Sequence, residues 1–273
     1  MMLIRGIILC LSFVVLFYSK PHCQSVKVDG DLTITQSGND NPEQGTIRWT
    51  GNDFEGWNGT EWLSLTAGNM IRDVDGNYYR TIRIGAQLWM TDNLRVTKYN
   101  DGTDIPLGND QATWASLNSM LTPAYTWYND DSTGYAIPYG ALYNFYAVDT
   151  LSNGGKNICP QGWHVPSDAE WVQLTTTLGG ESIAGGKMKE RALWTSPNTG
   201  ADNSAGFFAL PAGRRGPNGT FAGLLTNGYW RSTTPDENNG VQAYYRPLSN
   251  LSASCTRSTW NKGIGFSVRC LKD

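Results

Sequence analysis

The sequence predicts an α+β domain that is rich in loops, with irregular antiparallel strands and one or two short helices, preceded by a small all-β segment. Three observations carry this. Ser167-Asp-Ala-Glu170 is a capping box, and the apolar residues after it, Trp171, Leu174 and Leu178, fall at helical spacing. Short alternating stretches separated by Gly and Asn recur along the chain, the pattern of brief hairpin strands. Composition agrees, since 11 Trp, 13 Tyr and 31 Gly accompany only 16% charged residues, which suits large aromatic side chains packed between turns.

Met1 to Arg5 forms a short basic start, and Ile7 to Tyr18 is an apolar stretch of signal-peptide length, short for a membrane span. Residues 1–23 are therefore expected to be a signal peptide, and the chain to be secreted or held on the outer cell surface. A lipoprotein built on Cys23 is disfavoured, because Lys20-Pro21-His22 stands where small and apolar residues usually precede a lipidated cysteine.

Residues 26–67 read as the small β segment. Val28 to Ile34 alternates like a strand, and Thr46 to Trp49, Asp53 to Trp57 and Glu61 to Leu65 are short strands separated by Gly51-Asn52 and Asn58-Gly59 turns. They resemble the short β repeats found beside trimeric fibre and tail-like surface proteins. A segment this small buries little core by itself. It is expected to pack on its neighbour or on other copies of itself, as a homo-oligomer.

Residues 72–273 form the main domain, with no polar linker interrupting them. Tyr78 to Leu88 reads as a hairpin arm after the Asp75-Gly-Asn77 turn. Asp73, Asp75 and Asn77 have the opening spacing of a calcium loop, but Ile84 stands at the twelfth position where a bidentate glutamate belongs, so a turn is the better reading. Thr113 to Met120 is a candidate short helix, and the helix from Ser167 should stop at Gly179-Gly180. Glu170 and His164 could be read as an acid and its partner, but a carboxylate engaged as a cap is poorly placed for proton transfer. The last strands are expected at Phe207 to Leu210, Tyr229 to Ser232, Gln242 to Arg246 and Phe266 to Cys270.

Several function classes are excluded by what the chain contains. A net charge of -3 and a pI near 5.4, without a long basic run, leave no electrostatic footprint for nucleic acid. His22 and His164 are the two histidines, too few for a multi-histidine metal site, and there is no HExxH motif, no Gly-x-Ser-x-Gly elbow and no Gly-rich phosphate loop. No catalytic residue, metal ligand or cofactor is therefore expected. Calcium is the one ion the loops could admit, at Pro235-Asp-Glu-Asn-Asn239, and a solvated loop explains those residues better.

Ordered blocks along the main domain resemble the Fibrobacter succinogenes major paralogous domain. They are Asp73-Val-Asp-Gly-Asn77, Ile84 to Met90, Asn93 to Gly102, Gly140-Ala-Leu-Tyr-Asn144, Cys159 to Trp171, Gly206 to Gly213, Trp230-Arg-Ser-Thr233 and the Cys270 terminus. The resemblance implies a C-type-lectin-like fold in secreted or surface proteins of Bacteroidetes and Fibrobacteres, and no particular activity. It implies a disulfide between Cys159 and Cys270, with Cys255 to Cys270 as the rival pairing. Trp127-Tyr-Asn-Asp130 departs from the calcium-ligating Trp-Asn-Asp of sugar-binding C-type lectins by an extra tyrosine.

In folds of this kind recognition lies on the later loops, which here place Asn238, Asn239, Tyr244, Tyr245, Arg246, Arg257 and Trp260 as candidate ligand contacts. The competing reading turns Tyr244 and Tyr245 into the core by strand alternation, and Trp230 matches a core motif of the family. The expected function is an exported, non-catalytic binding module for a glycan or a surface protein. An enzyme of the formylglycine-generating type and a structural component of a surface fibre are the alternatives.

Overall fold

The computed structural model describes residue 43 and residues 46–49, 54–57, 62–64 and 70–273. The signal peptide expected at residues 1–23, which includes Cys23, and the strand expected at Val28 to Ile34 lie outside them. The first described elements are β1 (Ile47–Trp49), β2 (Phe54–Trp57) and β3 (Trp62–Ser64), an antiparallel meander in that order, with Trp57 opposite Trp62.

The main domain opens with β4 (Met70–Arg72), β5 (Tyr78–Ile84) and β6 (Gln87–Met90). The β4–β5 turn is closed by Asp73, whose carboxylate accepts from the Asn77 amide at 2.8 Å and the Tyr79 hydroxyl at 2.5 Å. Asp75 accepts from the Thr97 amide and hydroxyl at 2.6 and 2.8 Å. These carboxylates thus complete a hairpin turn and its docking. The elements that follow are α1 (Gln111–Ser119), β7 (Tyr125–Thr126), a 3-10 turn at Tyr128–Asp130, α2 (Ser132–Tyr139), β8 (Leu142–Tyr143), α3 (Phe145–Val148) and β9 (Trp163–His164). Next come α4 (Asp168–Thr177), α5 (Glu181–Met188), β10 (Ala212–Arg215), β11 (Phe221–Leu224), β12 (Asn227–Pro235), β13 (Gln242–Ser249), β14 (Ser258–Asn261) and β15 (Leu271–Lys272).

These residues form a mixed helix-and-sheet fold. Its largest sheet runs β4-β5-β6-β15-β9, and β12-β13-β14 form a second sheet. Insertion of β15 between β6 and β9 brings the end of the chain beside the start of the domain, with Leu271 opposite both Trp89 and His164.

Local chemistry explains α4. Ser167 Oγ accepts from the Glu170 amide at 3.4 Å, and Glu170 Oε2 accepts from the Ser167 amide at 2.7 Å, the reciprocal capping box. Trp171 and Leu174 are fully buried on one face, and Gly179 and Gly180 adopt φ of 100° and 99°, which end the helix. Trp171 meets Trp89 with ring centroids 4.7 Å apart, in a cluster that includes Phe207, Trp230 and Leu248. A second cluster gathers Tyr79, Met90, Leu94, Tyr143 and Phe145 around the disulfide. Each such side chain contributes on the order of 1.5–3 kcal/mol on burial.

The disulfide joins Cys159 to Cys270 across a sequence separation of 111, and Cys255 is free and buried. The rival pairing is thereby overturned. Burial pushes the Cys255 thiol up to about 12.

Two expected strands are corrected. Phe207 to Leu210 makes one isolated bridge, Lys189 with Ala209, and Phe208 turns out of extended geometry at a φ of 53°. Phe266 to Cys270 threads the interior without pairing to a single partner. Tyr143, Arg231, Leu94 and Met90 donate in turn to the carbonyls of Phe266, Ser267, Val268 and Cys270. Three separate stretches, at residues 90–94, 143 and 231, therefore share the bonds that one ladder would have made.

Five α-helices form among the described residues where one or two were expected, and α5 is the least expected of them, because Gly185 and Gly186 argue against a helix. Their lack of a side chain permits close contact instead. A Cβ on Gly185 would lie 2.3 Å from the Ser254 carbonyl oxygen, and one on Gly186 would lie 2.4 Å from that of Gly200.

Breaking the disulfide by Cys159→Ser with Cys270→Ser should lower unfolding free energy by about 4–5 kcal/mol in the chain-entropy model. Urea titrations of variant and parent check this, and superimposable curves would contradict it. Gly185→Ala should destabilise by about 1–3 kcal/mol through overpacking, read as a lower melting temperature; an unchanged or raised one would show that the contact yields freely.

Candidate functional site

The candidate recognition residues divide between the two faces of the β12-β13-β14 sheet and the turn at its end. Alternation along β13 sends Tyr245 to one face, where it packs on Phe266 at 4.8 Å and on Trp260 at 6.0 Å. Tyr229 stacks on Phe266 at 5.2 Å. Arg214 lies 4.6 Å over the Trp260 ring, so the half-buried Trp260 has one face covered by a guanidinium. Trp230 is fully buried and donates its indole N–H to Asn93 at 3.0 Å.

On the other face Arg246 and Arg257 converge on Asp168, the first residue of α4. Arg246 Nη1 lies 2.7 Å and Arg257 Nε 2.6 Å from its two carboxylate oxygens. Arg257 also sits 3.9 Å over Tyr244. Arg257 is exposed and Tyr244 half-buried, whereas Tyr245 and Arg246 are buried, which corrects the expectation that both present themselves to a ligand. The physical reason is that both faces of β13 are covered, one by the Phe266 cluster and the other by α4.

Asn238 and Asn239 are exposed in the turn between β12 and β13. Asp236 Oδ1 accepts from the Asn238 amide at 3.0 Å and Asn239 Oδ1 from the Val241 amide at 3.3 Å. This loop's side-chain oxygens thus shape a turn. Asp130, in the other calcium-like stretch, is bound to the buried Arg215 at 2.6 Å.

Beyond that turn lies a cavity of about 560 Å³, bounded by the end of α3 and the chain after it, by β9, and by Thr233 and Pro235 of β12. Val148, Val165 and Pro235 give it apolar walls, while Lys156, His164 and Lys262 bring polar groups to it. This mixture of apolar lining and a few convergent polar groups is the usual make-up of a small-ligand site.

His164 is held at its edge by two carboxylates, Nδ1 to Asp273 at 2.6 Å and Nε2 to Glu170 at 2.9 Å. Burial alone draws the imidazole down, but the hydrogen bonds to Asp273 and Glu170 and their charges outweigh it, and its pKa is raised. Burial pushes the Glu170 carboxyl up, yet the hydrogen bonds from Ser167 and His164 prevail and its pKa is lowered. Both Glu170 oxygens are engaged, Oε2 by the Ser167 amide and hydroxyl at 2.7 and 2.8 Å and Oε1 by His164. The arrangement is an imidazole pinned between the helix cap and the end of the last strand, with both oxygens of Glu170 engaged.

Sequence reasoning singled out His164 and Glu170 but missed Lys156, Thr233 and Lys262. These three stand far apart in the chain and belong to no motif, so no local signal links them. Among the described residues no group of His, Cys, Asp and Glu side chains is arranged to hold a metal ion, and no helix is long and apolar enough to cross a membrane.

A family model described as the Fibrobacter succinogenes major domain matches residues 82–272. No curated protein and no solved structure matches the chain.

The His164 pair predicts a pH optimum for stability. A raised histidine pKa stabilises the fold fully below its unfolded value and loses that contribution as pH rises through the folded pKa; a lowered glutamate pKa stabilises above its unfolded value and loses it as pH falls through the folded one. Their joint contribution should be greatest between about pH 4.3 and 6.5. His164→Gln should flatten the alkaline limb of melting temperature against pH, and a variant profile parallel to the parent's would refute the linkage.

Proposed function

The chain belongs to the Fibrobacter succinogenes major domain family, and from that footing we propose that it is an exported, non-catalytic ligand-binding module of the bacterial cell surface. The observation that carries this reading is the cavity beside His164, where apolar walls and convergent polar side chains surround a space of about 560 Å³ while the adjacent Glu170 is wholly engaged as a cap and a histidine partner. Such a lining suits binding, and the histidine at its edge is committed to structural contacts with Glu170 and Asp273. A glycan is the proposed ligand, on a C-type-lectin-like scaffold, with the apolar stretch Ile7 to Tyr18 as its export signal and no cofactor required.

The formylglycine-generating alternative needs a close pair of reactive thiols. Cys270 is bonded to Cys159, and Cys255 is buried with its thiol pushed up to about 12. A buried, protonated thiol is a poor nucleophile, which supports the non-catalytic reading.

A glycan array probed with residues 26–273, with and without calcium, tests the proposal. Saturable binding to at least one glycan class is expected, and Thr233→Trp should abolish it by filling the cavity. Binding retained in that variant would move the ligand elsewhere on the surface. Silence under both conditions would overturn the glycan reading.

A further inference from the structure

We infer that the cavity beside β9 and β12 takes the carboxylate of an acidic saccharide, a uronic-acid unit, between the ammonium groups of Lys156 and Lys262. This rests on the binding reading above and narrows it to one ligand class.

Two cations of the cavity wall stand without an acidic partner, although one acid, Asp149, lines the same cavity. Lys156 and Lys262 both line it, and neither ammonium lies within ion-pair distance of a carboxylate among the described residues. Lys262 Nζ makes one hydrogen bond, to the Gly240 carbonyl at 2.8 Å, and rests 5.1 Å over the Phe145 ring. Lys156 Nζ lies 5.3 Å over the Tyr99 ring. The aromatic rings hold the two cations in place without neutralising them.

The neighbouring acids are otherwise engaged. Asp149 accepts from the Leu151 amide at 3.3 Å and from the Ser152 hydroxyl. Glu170 and Asp273 are bound to His164. Asp101 feels the Lys156 charge only from beyond pairing distance. An incoming carboxylate would therefore gain charge-assisted hydrogen bonds from donors that have no acidic partner to lose.

The remaining walls favour a sugar ring over an acidic peptide. Thr150 and Thr233 bring hydroxyls that suit ring hydroxyls, and Leu151 and Pro235 bring apolar surface for the C–H face of a ring. A peptide would seek strand pairing along β12. There the Thr233 amide already donates to the Pro166 carbonyl and the Thr234 amide to the Ser232 hydroxyl.

Isothermal titration of the purified full chain with trigalacturonic acid, its methyl ester, neutral galactotriose and an oligoglutamate peptide tests the inference. The acid should bind, and more weakly as salt is raised. The ester should bind roughly tenfold or more weaker, as should the acid with the Lys156→Gln, Lys262→Gln double variant. The corresponding Arg double variant, which keeps both charges, should retain binding and shows that the Gln effect is one of charge. Equal affinity for acid and ester, with both lost in Thr233→Trp, would overturn the carboxylate inference and leave the binding module standing. Preference for oligoglutamate would overturn the saccharide. No binding of the acid would overturn the inference outright, while the glycan array separately decides the broader reading.

Discussion

Lys189, Arg215, Arg231, Arg246 and Arg269 lie wholly inside the domain, and they bond chiefly to backbone carbonyls. Lys189 Nζ donates to the carbonyls of Thr199, Ser249 and Ser252 at 2.9, 2.9 and 2.8 Å. Arg269 reaches the carbonyls of Phe207 and Phe208 and the side chain of Asn93. Arg215 bonds the carbonyls of Gly108 and Gly219 as well as Asp130. Arg231 donates to the Ile264 carbonyl and lies 4.4 Å over Phe266. In a core crossed by irregular chain, many carbonyls find no ladder, and an unpaired buried carbonyl costs about as much as a lost hydrogen bond. A cation with several N–H donors satisfies several at once. Desolvation opposes it, drawing Arg231 and Arg269 down to about 9.

With its loops fastened in this way, the domain can run its last segment through the middle of the fold. Residues 266–270 accept bonds from three separate parts of the chain, and the disulfide fixes the end of that segment to the loop before β9. Strand β9 then carries His164 to the edge of the candidate cavity, where the imidazole bridges Glu170 at the start of α4 and Asp273 beyond β15. The cavity wall is thus held by the same contacts that close the domain.

Much of this was legible where local chemistry decides. The capping box and the glycine pair set both ends of α4, an Asp110 cap precedes α1 close to the expected helix, and the turn around Gly76 follows its chemistry, whereas the arm expected from Tyr78 to Leu88 is broken at Gly85, where φ is 60°. The disulfide was legible through family resemblance, because spacing alone leaves two pairings open for Cys270. Less was legible for the site. The two readings of β13 treat Tyr244 and Tyr245 alike, both outward or both inward, whereas only Tyr245 is buried, and no local pattern says that both faces of β13 are covered or that Arg246 is drawn inward to Asp168.

What the sequence by itself determined is the α+β character, the position of the main helix, the short hairpins and the membership of a family, all of which rest on residues close together or on ordered blocks. Only the tertiary structure decided that Gly185 and Gly186 form a helix, that residues 266–270 cross the core bonded to several stretches of chain and not to one strand, and that Lys156, Thr233 and Lys262 share a cavity. The physical reason is the same in each case. Those outcomes depend on which surfaces approach one another, through close backbone contact, carbonyl satisfaction and charge brought together from distant segments, and no local pattern of residues encodes that approach.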